Sequence, residues 1–535
     1  MYKKGAASVL LAVFSAIAIL GGCGGDSGSA GQSPEASPPG QSPAQTGQAS
    51  PQADFSKRIT LTLFNSAGFN LAAPMPSRGD DPLRQMLEAK VNADLQMTLP
   101  PADQISTKLN TMIASGDIPD LVFFKDRATA VQYFEQGVIV DAAPILAQYP
   151  ALKSHYPETY WKQISYKGKT LGIPGYEMVQ GIRGWWIRND WLRNVNMKAP
   201  TTPEELLEVM KAFTFNDPDQ NGQNDTYGFV GGVGKNGKFD DLGWDAIFMM
   251  FGVYQGNYEV VNGELAVLNT DDRMKSAIAF IRQMLEAKVV DPDWTTINDI
   301  GALDNRMLGI GNVGIVYNDW RRMEGDKKEK NPEWIVIDPP KGPDGQQFSD
   351  LKGAQNNVWG ISVKAASDAD KVARIMTLLE YWYTDKEAYP YFAYGPKGVF
   401  WEMENGQVKY LSDKKRNVDF AQQYSWVSNY ALPRRANDAL YFNYNYPKTA
   451  EFLGINNKYL FPKGDHITPF ITEDPSDTMY QDRIKYMDES LLKFISGKEP
   501  LTNWGAYVQT LETKFALSKF KETALKQLKE QAIIK

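Results

Sequence analysis

The residues Arg58-Ile59-Thr60-Leu61-Thr62-Leu63-Phe64 alternate polar and apolar, and this period of two predicts a strand. From Pro82 to Val91 the period lengthens, and Leu83, Met86, Leu87 and Val91 fall on one face of a helix. A second strand over Asp94 to Leu99 repeats the pattern, with a second helix over Ser106 to Ala114 that has Leu109 and Ile113 on one side. Ser115-Gly116-Asp117-Ile118-Pro119-Asp120 breaks that helix, and Leu121-Val122-Phe123-Phe124, apolar throughout, reads as a short buried strand. Strand, helix, strand, helix, strand predicts a parallel sheet covered on both faces. Ligands of such sheets sit beyond the carboxyl ends of the strands, where this chain has Lys125 and Asp126. Asp126 is therefore either a ligand contact or a solvated loop carboxylate.

A second unit begins with Gly184-Trp185-Trp186-Ile187-Arg188 as a strand and Asn189-Asp190-Trp191-Leu192 as the start of a short helix. Successive side chains on a strand point to opposite faces, so one of the two tryptophans belongs to a core. Trp186 is the candidate for the ligand side. Arg188 shares its face two residues on, placing a ring beside a guanidinium, which suits an anionic or hydroxyl-rich ligand. Further along, Thr202 can cap a helix, Pro203 fits its first turn, and Glu205 holds the capping-box position.

The amino-terminal stretch changes the picture. Lys3 and Lys4 precede an apolar run from Ala6 to Leu20, about 15 residues and too short to span a membrane. The run ends at Leu20-Gly21-Gly22-Cys23, which resembles a bacterial lipobox. Residues 1–22 are thus expected to be a lipoprotein signal peptide, and Cys23 the point of lipid attachment. Cys23 is the only cysteine of the 535 residues, so no intramolecular disulfide competes for it. Residues 23–54 are Gly, Ser, Pro, Gln and Ala with hardly a large apolar side chain, a tether with a reach of about 30 Å. This predicts a protein lipid-anchored at the extracytoplasmic face of the cell membrane, working in the aqueous space beyond it.

About 480 residues remain, too many for one core. A net charge of −7 argues against a nucleic-acid partner. Thirteen Trp and 26 Tyr stand against two His, His155 and His466. Aromatic faces with polar handles suit sugar rings, whereas scarce His and no spare Cys argue against a transition-metal site or a His-based triad. There is no Gly-x-Ser-x-Gly elbow, His-Glu-x-x-His helix or P-loop. A glycosidase acid pair has no short motif, so 64 Asp and Glu residues leave that class open.

The sharpest motif is Asp217-Pro218-Asp219-Gln220-Asn221-Gly222-Gln223-Asn224-Asp225. Oxygen-bearing side chains at Asp217, Asp219, Asn221 and Asp225, a backbone carbonyl at Gln223 and Gly222 at the sharp turn follow the EF-hand Ca²⁺ spacing. The departure is Gly228, where the bidentate Glu would stand. A structural calcium site and a polar, turn-rich loop are the two readings.

Trp186-Ile187-Arg188-Asn189-Asp190-Trp191-Leu192, followed by Pro200-Thr201-Thr202-Pro203-Glu204-Glu205-Leu206, resembles the central signature of extracellular solute-binding proteins of the sugar-binding type, the receptors of ABC importers. Ser115 to Asp120, Gly137-Val138-Ile139-Val140-Asp141 and Asn312 to Trp320 match further segments in the same order. Pro339 to Gly345 and Tyr394 to Gly398 resemble turns of the larger lipoprotein branch, which includes alginate-oligosaccharide binders. The resemblance implies an α/β fold of two lobes, each a mainly parallel sheet flanked by helices, with the ligand cleft between them. One lobe would hold 55–183 and 340–400, the other 189–335 and 401–535. It implies a non-enzymatic, monomeric receptor that delivers an oligosaccharide to permease subunits, and it puts Trp320 in the cleft. Trp244 and Trp359 are further candidates, with core packing as the alternative. In alginate-binding relatives an acidic residue follows the last loop Asp; here Thr226 stands there. A surface glycoside hydrolase and a calcium-dependent adhesion protein are the other functional classes.

Overall fold

The computed structural model describes residues 55–65, 76–156, 158–175, 183–234, 237–239, 242–319, 323, 332–349, 357–385, 387–404, 407–411, 424, 452, 454–455, 458–459, 467–474 and 476–534. Trp320, Cys23, the signal segment and the tether lie outside the described residues.

Strand β1 (Ile59–Asn65), helix α1 (Pro82–Val91), strand β2 (Ala93–Thr98), helix α2 (Ile105–Ala114), strand β3 (Leu121–Phe124) and helix α3 (Arg127–Glu135) succeed one another as the hydrophobic periods predict. β1 pairs in parallel with β2 on one side and β3 on the other. Asp120, buried at the entry to β3, accepts from the N–H and hydroxyl of Thr62 (both 2.9 Å) and from Lys371 (2.7 Å). One carboxylate therefore pins β1, the turn before β3 and a distant helix together.

After β4 (Ile173–Pro174) the chain crosses into a second lobe. There it forms β5 (Arg183–Arg188), α4 (Asn189–Asn194), α5 (Pro203–Phe215), β6 (Tyr227–Phe229), β7 (Val313–Asp319) and β8 (Trp334–Ile337), then returns to the first lobe as β9 (Val358–Ile361). The first sheet has the order β2-β1-β3-β9-β4, the second β8-β5-β7-β6. β9 is antiparallel to both its neighbours, β5 is antiparallel to β7 and β8, and β7 is parallel to β6. The fold class is α/β with two lobes, each with a mainly parallel sheet, since only β9 in the first and β5 in the second run against the other strands. Strands that enter a sheet from the other lobe come in against the local direction.

The first core runs from Leu61 to Ile173 and resumes from Val358 to Trp401 with Tyr424. Phe400 and Trp401 belong to it, so the carboxyl-terminal lobe does not begin at 401 as expected. The second core gathers residues from Trp185 to Ile337 and from Ile467 to Leu528. A smaller cluster with Trp186, Val316, Val336 and Phe452 covers the other face of the second sheet. Among the described residues no helix is long and apolar enough to cross a membrane.

Candidate functional site

At the carboxyl end of β3, Asp126 caps α3. Its carboxylate accepts from the Thr129 N–H (2.7 Å) and the Thr129 hydroxyl (3.0 Å), so it is half-buried and locally engaged. The next residue reaches further. Arg127 is 1% exposed, donates to the Ser165 carbonyl (2.7 and 3.1 Å) and bonds Gln531 at the far end of the second lobe. Its guanidinium also lies 4.8 Å from the Phe470 ring centroid. A cavity of roughly 630 Å³ beside it is lined from both lobes, by Gln132, Glu135 and Tyr166 on one side and Glu473 and Gln527 on the other. Sequence reasoning missed Arg127, because its partner is 404 residues away.

The tryptophans divide less evenly than expected. Trp185 and Trp186 do point to opposite faces of β5, but both are 1% exposed, since β5 is a central strand with packing on each side. Trp186 lies parallel to Phe452 at 5.7 Å and donates to the Asn318 carbonyl (3.2 Å). Trp244 is fully buried between Phe229 and Trp294 (5.6 Å each), and a methyl group on Gly231 would lie 2.3 Å from its ring. Trp359 sits 4.8 Å from Phe123 and donates to the Tyr383 hydroxyl (2.9 Å). As placed, these three rings are core packing rather than ligand shelves.

Arg188 is drawn away from Trp186. It forks onto Asp190 (2.8 and 2.5 Å) and lies 4.5 Å from the Trp191 ring centroid. The other end of β5 carries a residue the sequence reading passed over: Arg183, paired with Asp245 at 2.5 Å with both side chains buried. Its position at the strand start, just after the interlobe crossing, was the available signal.

Arg188 also opens onto a cavity of roughly 860 Å³ that it shares with Asp219, Asn221, Asp225 and Asn312. Asp217 accepts from the N–H groups of Asn221 and Gly222 (3.0 Å each) and so holds the loop's turn. Gly222 has φ +77, where a side chain would be strained. The Asn221 amide donates to Asp219 (3.0 Å) and Asp225 (3.3 Å), which brings the two carboxylates to one point. Burial, the contact with Asp217 and the charge of Asp225 push the Asp219 carboxyl above its usual range. Gln223 donates its N–H to the Asn221 side-chain oxygen (2.7 Å).

Two conceivable closing positions of the loop are unusable. Gly228 is buried in β6, where a Cβ would stand 2.5 Å from the Met210 Cα. Thr226 is buried and donates to the Phe213 carbonyl (2.8 Å). Among the described residues no group of three or more His, Cys, Asp or Glu side chains is arranged to hold a metal ion by itself. The carboxylates of Asp219 and Asp225 converge on the Asn221 amide nitrogen, and carboxylate oxygens are ligands a hard cation prefers. Asn312 lines the same cavity, and its amide nitrogen donates to the Asp225 carbonyl (3.4 Å). The residue types of the loop are those from which calcium takes its ligands.

The model of the family "Bacterial extracellular solute-binding protein" matches residues 83–400, a stretch that includes strands of both sheets and the crossings between them. The chain belongs to that family. Lipoprotein LipO of Bacillus subtilis is 27% identical over 375 residues, 68% of this chain and 72% of its own. The fructooligosaccharide ABC transporter substrate-binding protein FusA of Streptococcus pneumoniae is 26% identical over 306 residues, 52% of this chain and 54% of its own. The structure of a FusA EF-hand mutant in complex with fructo-nystose superposes with a TM-score of 0.63 over 89% of this chain and 100% of that one, at 19% identity. A human-milk-oligosaccharide-binding solute-binding protein ("HMO binding") from Bifidobacterium longum infantis superposes with a TM-score of 0.69 over 88% of this chain and 99% of that one, at 17% identity. At these identities the two structures establish the two-lobe fold.

Proposed function

We infer that this chain is the carbohydrate receptor of an ABC importer, held at the cell surface by a lipid on Cys23 and closing its lobes on an oligosaccharide. The observation that carries the reading is the family match over 83–400, because it takes in the crossings on which a hinged receptor depends. The named sugars of FusA and the Bifidobacterium protein favour a carbohydrate over other solutes. Only the closed form contacts ligand from both lobes, so sugar would stabilise closure, and a permease would read that state. Asp126 borders the carboxyl end of the first sheet, and Trp320 directly follows β7; both are proposed as ligand contacts. Family members are binding proteins, and a receptor returns its sugar unchanged.

The loop would hold calcium through Asp217, Asp219, Asn221, Asp225 and the Gln223 carbonyl. The ion would neutralise the gathered carboxylates and staple the loop to β6. This assignment draws on the residue types of the loop and on the EF-hand of the FusA relative.

The test is a thermal-shift screen of the full chain against fructooligosaccharides, milk oligosaccharides and galacturonans, with each sugar recovered and analysed. A rise in melting temperature with intact sugar supports the receptor. Consumption of the sugar would make the protein a hydrolase, and a flat response across the panel would count against carbohydrate. Cys23→Ala should release the protein from membranes, and undiminished retention would remove the anchor.

A further inference from the structure

We propose that Arg127 is a latch between the lobes: it holds the first lobe to the carboxyl-terminal segment of the second, and so sets how readily the receptor opens and closes on its sugar. The inference rests on the receptor reading above and adds to it a contact that governs affinity without touching the ligand.

The first lobe presents the arm ready-made. Asp126 caps α3 through Thr129, which fixes the first turn, where Arg127 stands. The guanidinium is then held against its own lobe by two bonds to the Ser165 carbonyl (2.7 and 3.1 Å) and lies 5.7 Å from the Tyr166 ring centroid. A side chain fixed in this way loses little further freedom when it meets a partner.

The second lobe presents a socket braced as firmly. Gln531, just past the terminal helix Leu517–Glu530, accepts from Arg127 and donates to the Phe470 carbonyl (2.9 Å). One turn earlier, Gln527 accepts from the Thr472 N–H (3.1 Å) and donates to the Thr472 carbonyl (3.0 Å). These bonds tie residues 470–472 to the helix. Phe470 belongs to the second core, and its ring centroid lies 4.8 Å from the guanidinium.

The chemistry of the contact suits one that is made and broken. Burial pushes the Arg127 pKa down to about 10, so the guanidinium stays charged at neutral pH. Its partners are a backbone carbonyl, an amide oxygen and aromatic rings; among the described residues none is a carboxylate. A buried ion pair would resist separation strongly, because each charge would be stranded. Here parting the lobes costs one charged hydrogen bond and one cation–π contact, and water that reaches the guanidinium offsets much of that loss. Arg127 already borders a cavity walled by both lobes, which gives that water its way in. A contact so balanced biases the equilibrium between open and closed forms instead of locking it.

The test compares wild type, Arg127→Ala, Gln531→Ala and the double variant by small-angle scattering of the sugar-free full chain and by calorimetry with fructooligosaccharides. Each variant should shift the radius of gyration. Apparent sugar affinity should change about three-fold or more in the matching sense, weaker where the chain expands and tighter where it compacts. Because both residues serve one contact, the double variant should match either single one. Wild-type scattering and affinity in all three variants would overturn the latch, and so would single effects that simply add. A wild-type chain that binds no fructooligosaccharide counts against the receptor reading, and the scattering comparison still decides the latch. Should Arg127→Ala fail to fold, Gln531→Ala decides, since it leaves the buried arm in place.

Discussion

The two lobes reach similar architectures by different routes. In the first, three consecutive strands pair side by side, and the sheet order β2-β1-β3 comes from one stretch of chain. In the second, β5 is flanked by β7 and β8 from more than a hundred residues away, and the core is completed by helices near the carboxyl end. Three strands of the first sheet come from near neighbours, with β9 joining from far along the chain, whereas the central strand of the second sheet has only distant partners. Local hydrophobic periods are therefore enough to draw β1, β2 and β3, whereas β9 and the second sheet depend on pairings that no short window contains.

The largest test of this contrast lies in the cores. Trp244→Ala in the second lobe should cost about 3–5 kcal/mol, and Trp359→Ala in the first a similar amount. Calorimetry should show each variant lowering the transition of its own lobe. A single shared transition in both variants would mean that the lobes unfold as one unit. Gly228→Ala follows, at about 1–3 kcal/mol, because the added methyl meets the α5 backbone at Met210. Wild-type stability in that variant would show that α5 can shift and that the position is not closed to side chains.

Arg127→Ala probes the place where the lobes touch. It removes the bond to Gln531 and the contact with Phe470, and should alter sugar affinity several-fold through the hinge. Unchanged affinity, together with an unchanged small-angle scattering profile, would make the contact incidental.

The smallest expected effect is in the loop. The Asp219 carboxyl is raised, mainly by burial, so the native state holds its proton more tightly than the unfolded chain. In chelator, stability should therefore fall as pH rises from the ordinary carboxylate value through the raised one. Saturating calcium should abolish this loss, and Asp219→Asn should abolish both the pH dependence and the calcium response. A pH profile that is the same with and without calcium would place the ion elsewhere.

Much of the local structure was legible. The helix Pro82–Val91 and the strand Leu121–Phe124 lie where their periods put them. Thr202 caps α5 by accepting from the Glu205 N–H (3.3 Å), although Glu205 bonds the N–H of Thr201 (2.8 Å) rather than that of Thr202. The site was less legible. Spacing singled out Asp217, Asp219, Asn221 and Asp225 because their geometry is made within one turn of chain. Asn312 lies within a segment already noticed for another reason, and nothing in its spacing ties it to the loop. Arg127 and Arg183 were passed over because each is defined by a partner distant in sequence.

The sequence by itself determined which segments become strands and helices, the two-lobe family and the acidic loop with its sharp turn, since these follow from periods and spacings of a few residues. Only the tertiary structure decided which face of each strand is covered. Trp186 looked like a ligand shelf because a strand must present two faces, but the cluster with Phe452 buries one and the second core buries the other. The same packing fixes Gly228 as glycine and brings Asn312 to the loop. Burial is a property of what arrives from elsewhere in the chain, and local pattern cannot carry it.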